Sequence, residues 1–157
     1  MYKNPLVILG KAPVKGKLGK YAHDDWPVHE VWTVGTADIK DADRYYEFHG
    51  IERYGRVMCT KVSPRALEFG RALVPLNNSV CLMLMEAFVE GYTDITVAGC
   101  PMSMKEEYVA QKPALAMCVG FIRGIGYARL YTGEGNRITV RWLEEPAHGN
   151  YYEEHRK

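Results

Sequence analysis

Two short runs constrain the fold of this chain more than anything else in it: PLVIL at residues 5–9 and DITVA at 94–98. Both read as near-continuous apolar cores, the pattern of a strand covered on two faces, which belongs to parallel sheets with helices above and below. Elsewhere short apolar runs alternate with longer amphipathic stretches, so the chain is expected to be an α/β protein. Further strands are predicted at 30–34, 44–48, 56–60, 128–132 and 137–142. The segment YTGEGNRI joins the last two through two glycines and predicts a hairpin. The expected architecture is a three-layer sandwich, mainly parallel, with an antiparallel edge hairpin at the C-terminal end.

Two helices stand out. NNSVCLMLMEAFVEGY (77–92) has Asn77, Asn78 or Ser79 as its cap and Gly91 as its stop, and it is apolar nearly all round. Most of it should be covered, and its apolar CLMLMEAF core suggests a homo-oligomer. KEEYVAQKPALAMCVGFIRGIG (105–126) opens with two glutamates, favourable at a helix N-terminus, and Pro113 should kink it or mark its true start. The reading is one domain over 1–145, followed by a polar and aromatic tail, 146–157.

With 157 residues, 47% hydrophobic and 25% charged, the chain can bury a sizeable core without disulfides or a structural metal. Its formal charge of +1 argues against a general nucleic-acid or membrane binder. Cys59, Cys81, Cys100 and Cys118 never form CxxC, and three lie in apolar runs, so free buried thiols are expected. Only four apolar residues precede Gly10, too few for a signal peptide, and no run reaches membrane-spanning length. A reducing, cytoplasmic setting follows as an expectation.

The loop after the first strand, GKAPVKGKLGKY, matches no standard phosphate fingerprint. In a P-loop the glycines are one residue closer than Gly10 and Gly16, and a hydroxyl stands where Leu18 does. What remains is Gly10 at a strand end, then Lys11 and Pro13. Ligands of open α/β sheets collect at the carboxyl ends of strands, and lysine there supplies charge for phosphate. The alternative is a solvated loop whose lysines aid solubility.

Three further features fit the same edge. In RYYEFHG (44–50), strand alternation puts Tyr45, Glu47 and His49 on one side and Tyr46 and Phe48 on the other. Glu47 and His49 could hold a hydroxyl or move a proton, or simply pair as a strand end. Asn78 and Ser79 open an apolar helix, as an anion site or an ordinary cap. In GCPMSMKEEYVAQKP (99–113), Glu107 and Gln111 are i, i+4 neighbours beside Tyr108, a grip for a nucleobase or a plain polar face.

The order of these features resembles a group of small Rossmann-like proteins common in bacteriophage genomes. That group resembles trimmed relatives of hydroxymethylpterin pyrophosphokinases, flagellin-modification glycosyltransferase-like proteins and sialyltransferases. The resemblance spans roughly residues 5 to 132 and rests on the G-x-x-P strand end, VWTVG, EFHG, NNS and AGCPM…EEYVAQKP. It implies a nucleotide or sugar nucleotide with its phosphate against Gly10, Lys11 and Pro13. The sugar or base would approach Asp38, Glu47, His49, Asn78, Ser79, Glu107, Tyr108 and Gln111. The chain departs from the larger relatives in reading Gly-Lys-Ala-Pro for Gly-Pro-Ser and GTAD where they carry Asn. It also lacks room for an acceptor domain. The expectation is therefore capture of a nucleotide-type molecule, with no cofactor, no metal and no nucleic-acid or membrane partner. A phage protein of this kind would sequester a host immune signal such as a cyclic ADP-ribose species. The alternative is a nucleotide- or sugar-nucleotide-dependent transferase or hydrolase with His49 as acid or base and Asp38 or Glu47 as a metal-binding or orienting carboxylate.

Overall fold

The computed structural model describes residues 3–12, 14, 22–35, 37, 39–48, 58–73, 77–101 and 106–145, with backbone alone at 73 and 106–110. Six strands, β1 (Leu6–Leu9), β2 (Glu30–Val34), β3 (Arg44–Tyr46), β4 (Met58–Cys59), β5 (Asp94–Ala98) and β6 (Thr139–Trp142), form one sheet in the order β4-β3-β2-β1-β5-β6. Every neighbouring pair is parallel. The four helices are α1 (Ala22–Asp25), α2 (Pro64–Leu73), α3 (Ser79–Glu90) and α4 (Glu106–Thr132). The result is a Rossmann-like α/β sandwich. No helix among the described residues is long and apolar enough to cross a membrane.

The two apolar runs sit side by side at the centre, with Leu6 opposite Ile95 and Leu9 opposite Ala98. All four residues of β1 are buried, as are Ile95 to Ala98. On one face Leu6, Ile8, Trp32, Tyr46, Ile95 and Val97 pack against α2, α3 and α4. On the other Val7, Leu9, Val31 and Ala98 pack against Ala22, Ala37 and Ile39 from the connections flanking β2. Strand order runs one way from β1 to β4, and the connections through Ala22 and through Ala37 and Ile39 lie on the second face. It runs back through β5 to β6 with helices on the first, as right-handed crossovers require.

The antiparallel edge hairpin is not what forms. β6 pairs parallel to β5, with Asp94 opposite Thr139 and Val97 opposite Trp142. The segment predicted as its partner, 128–132, is the last turn of α4. Ala128, Arg129 and Leu130 are good helix formers and carry the helix on. Gly133, at φ +76°, then stops it, while the Glu134 amide donates to Arg129 O at 3.0 Å. The sheet is therefore wholly parallel, not mixed.

Helix α3 follows its sequence signals. Asn78 caps it, its side chain accepting from the Cys81 amide at 2.9 Å, and Gly91, at φ +92°, closes it. Val80, Cys81, Met83, Leu84, Met85, Ala87 and Phe88 are all buried within the chain, so most of its apolar surface goes into the chain's own core. Pro113 lies inside α4, seven residues past its first described residue.

The amino edge of the sheet is tied by side chains. Glu30 accepts from Trp32 Nε1 at 2.8 Å and from the Tyr92 hydroxyl. Arg44 grips Glu90 through two bonds of 2.6 and 2.9 Å and lies over the Trp32 ring. The Glu90 bonds hold the Arg44 guanidinium above its ordinary pKa.

Candidate functional site

At the carboxyl edge the strand ends stand in the order Cys59, Glu47, Gly35, Gly10, Gly99 and Glu144, the last two residues past β6. Strand order reverses between β1 and β5, so Gly10 and Gly99 flank the position where doubly wound sheets place ligands. The two turns interlock. The Gly10 amide donates to Ala98 O at 2.8 Å and the Ala12 amide to Gly99 O at 3.1 Å. A Cβ on Gly10 would lie 2.3 Å from Gly99 O and 2.5 Å from Cys100 Sγ, and Gly99 stands at φ +70°. The space left by the missing Gly10 side chain is thus filled by the chain itself.

Sequence reasoning missed Glu144. Its Oε1 accepts from the Gly99 amide and from the Cys100 amide, the latter at 3.3 Å. Its Oε2 is buried and has no hydrogen-bond partner among the described residues. A carboxylate thus occupies the backbone donors of the β5 turn, where a phosphate would otherwise be drawn. The signal was the acidic pair after TVRW. Read as an antiparallel strand, that run delivers Glu144 to the opposite edge of the sheet; read as parallel, it delivers it here. Burial, with the Glu144 charge adding to it, pushes the Cys100 thiol up to about 12. Cys100 therefore stays protonated, while its carbonyl accepts from Trp142 Nε1 at 2.9 Å.

The sequence-derived residues fall out as follows. Gly10 and exposed Lys11 lie at the β1 end. Glu47 follows β3, is 3% exposed and is engaged within the chain. The predicted alternation holds around it: Tyr46 stacks on Phe48 at 5.7 Å on the helix-covered face, whereas Tyr45 reaches the Ile39 carbonyl. α3 and α4 each lead into a strand that starts at the amino edge, so their N-terminal ends, with half-buried Asn78, Ser79 and Gln111, lie towards the carboxyl edge. Glu107 and Tyr108 lie in the first turn of α4, their side chains outside the described residues. Pro13, Asp38 and His49 also fall outside them, as does the 146–157 tail.

The four cysteines are free thiols, three buried and Cys59 half-buried. Among the described residues no group of three or more His, Cys, Asp or Glu side chains is placed to hold a metal ion. The arrangement offers a cation at Lys11 on one side of the reversal and a buried acceptor at Glu144 on the other. No protein family, curated protein or solved structure matches the chain.

Proposed function

We propose that the protein binds a nucleotide-type small molecule at the carboxyl edge of its sheet, across the reversal between β1 and β5, and holds it without turnover. The observation that carries this reading is the reversal itself, bordered by Lys11 on the β1 side and Glu144 on the β5 side. The two charges orient the ligand. Glu144 repels phosphate from the β5 turn, so phosphate sits on the β1 side near Lys11. The buried Cys100 thiol at this edge is held protonated and supplies no ready nucleophile. The resemblance to small phage proteins gives the proposal its biological setting, sequestration of a host immune nucleotide signal such as a cyclic ADP-ribose species.

The test is to incubate the protein with nucleotides and ADP-ribose derivatives, wash it, denature it by heat and identify the released compound by mass spectrometry. Recovery of one unchanged compound, with capture weakened about tenfold in Lys11→Glu, a loss of ~1.4 kcal/mol, is the expected result. A converted product would replace capture with catalysis, and no retained compound would reject the reading.

A further inference from the structure

The solvent face of α4 is apolar from Pro113 to Tyr131, and its residues are arranged symmetrically. Gly120 and Gly124 stand two residues either side of Ile122, Met117 and Tyr127 five, Ala116 and Ala128 six, and Pro113 and Tyr131 nine. All eight are exposed, Met117 by 52%, Tyr127 by 67% and Tyr131 by 85%. At 3.6 residues per turn they fall within about 60° of one direction on the helix. No ionised side chain lies among them. Arg123, which borders the stripe near its centre, is already neutralised by Glu145 through bonds of 2.8 and 2.9 Å.

The glycines separate an internal role from an external one. A Cβ on Gly126 would come 2.7 Å from the Ile138 amide nitrogen, so Gly126 is required for α4 to lie on the chain before β6. Among the described residues a Cβ on Gly120 or Gly124 would meet nothing within 4 Å. Each weakens a helix by about 1 kcal/mol relative to alanine, and no close approach among the described residues requires either. Small residues four apart allow a second helix backbone to approach closely.

We propose that α4 is a dimer interface, two copies packing this stripe antiparallel about a two-fold axis at the level of Ile122. The occupant follows from the symmetry. Under that axis Gly120 faces Gly124, Ala116 faces Ala128, Met117 meets Tyr127, and Pro113 meets Tyr131. A self-complementary patch of this kind is what a closed two-fold contact uses. Methionine sulfur against an aromatic ring is a favourable pairing. At 150–250 Å² per buried aromatic, Tyr127 and Tyr131 of the two copies bring about 600 Å². The methionines and the close-packed small residues extend this towards the ~1,000 Å² of a specific interface.

Sedimentation velocity and light scattering over a dilution series provide the test. The wild-type chain should have twice the mass of one copy. Gly120→Leu with Gly124→Leu should give a monomer whose helical circular dichroism is unchanged or stronger, because a Cβ at either exposed position meets no described atom within 4 Å and leucine favours a helix over glycine. Tyr127→Lys, which sets an unpaired charge against the second copy's Met117 at each end of the contact, should also give a monomer and covers the case in which the double variant misfolds. A wild-type chain that is monomeric throughout overturns the proposal, as does a dimer that survives Tyr127→Lys together with either glycine change.

Discussion

Gly10 and Gly99 leave no room for a methyl group in the joint they share. Gly10→Ala must push the Gly99 carbonyl and the Cys100 sulfur apart, and overpacking of this kind costs about 1–3 kcal/mol. A lower urea midpoint at unchanged slope would confirm it. Sequence alone marked Gly10 as special because it ends an apolar strand, but spacing cannot tell whether an absent side chain makes room for a ligand or for the chain. Glu144 was less legible still, since its meaning depends on the direction of a strand. Glu144→Ala strips the Gly99 and Cys100 amides of their acceptor and should cost about 1–3 kcal/mol; Glu144→Gln, which keeps an acceptor oxygen, should cost less. Cys100 sets a pH dependence. Its pKa rises from the ordinary 9.0 to about 12 on folding, so between those values the unfolded thiol ionises and the folded one does not. The stability contributed by this thiol is therefore whole below pH 9.0 and is lost towards 12. Tyr46, pushed up to about 12 by burial, adds to the decline from pH 10.0 upward. Chemical denaturation at successive pH values should show this fall, and Cys100→Ala should make its first part shallower without abolishing it, since the Cys59 and Cys118 thiols are also raised.

At the scale of elements, α3 was legible and the end of α4 was not. Asn78 and Gly91 are local signals, each acting within one turn of its own helix, and both act as the sequence implies. The stretch 128–132 carries no comparable local signal. Its β-compatible Tyr131 and Thr132 and the two glycines after it suit a hairpin as well as a helix end, and the choice is made by α4 already running through it. Gly133 is the stop, and Gly133→Ala, which forces a side chain into the left-handed region, should lower stability by about 1 kcal/mol. The join between α2 and α3 was invisible in the sequence. Buried Glu86 of α3 accepts from the Ser63 amide at 3.0 Å and hydroxyl at 2.8 Å, and that hydroxyl accepts from the Ala66 amide to cap α2. Glu86→Ala should loosen both helices at once, losing about 1–3 kcal/mol, seen as a lower melting temperature and faster amide exchange in α2.

For the whole molecule, continuous apolarity in β1 and β5 was enough to identify a parallel α/β sheet, because only strands covered on both faces read that way. The direction of β6 was beyond such reading, since pairing is decided between segments more than forty residues apart. The same geometry predicts a gradient of protection. Amides of β1 and β5, paired on both sides at the centre, should exchange with solvent most slowly, and those of the short edge strand β4 fastest; uniform protection across the sheet would contradict the strand order. The parallel sheet also has a practical result for handling the protein. The chain enters β1 at the amino edge, beside the Glu30–Tyr92 contact, and leaves β6 at the carboxyl edge, past Glu144. An affinity tag or fluorophore joined directly ahead of Lys3 is therefore carried on the far side of the sheet from the proposed ligand. One joined directly after Glu145, in place of residues 146–157, departs from the rim of that site, where it can compete with the very molecule being measured.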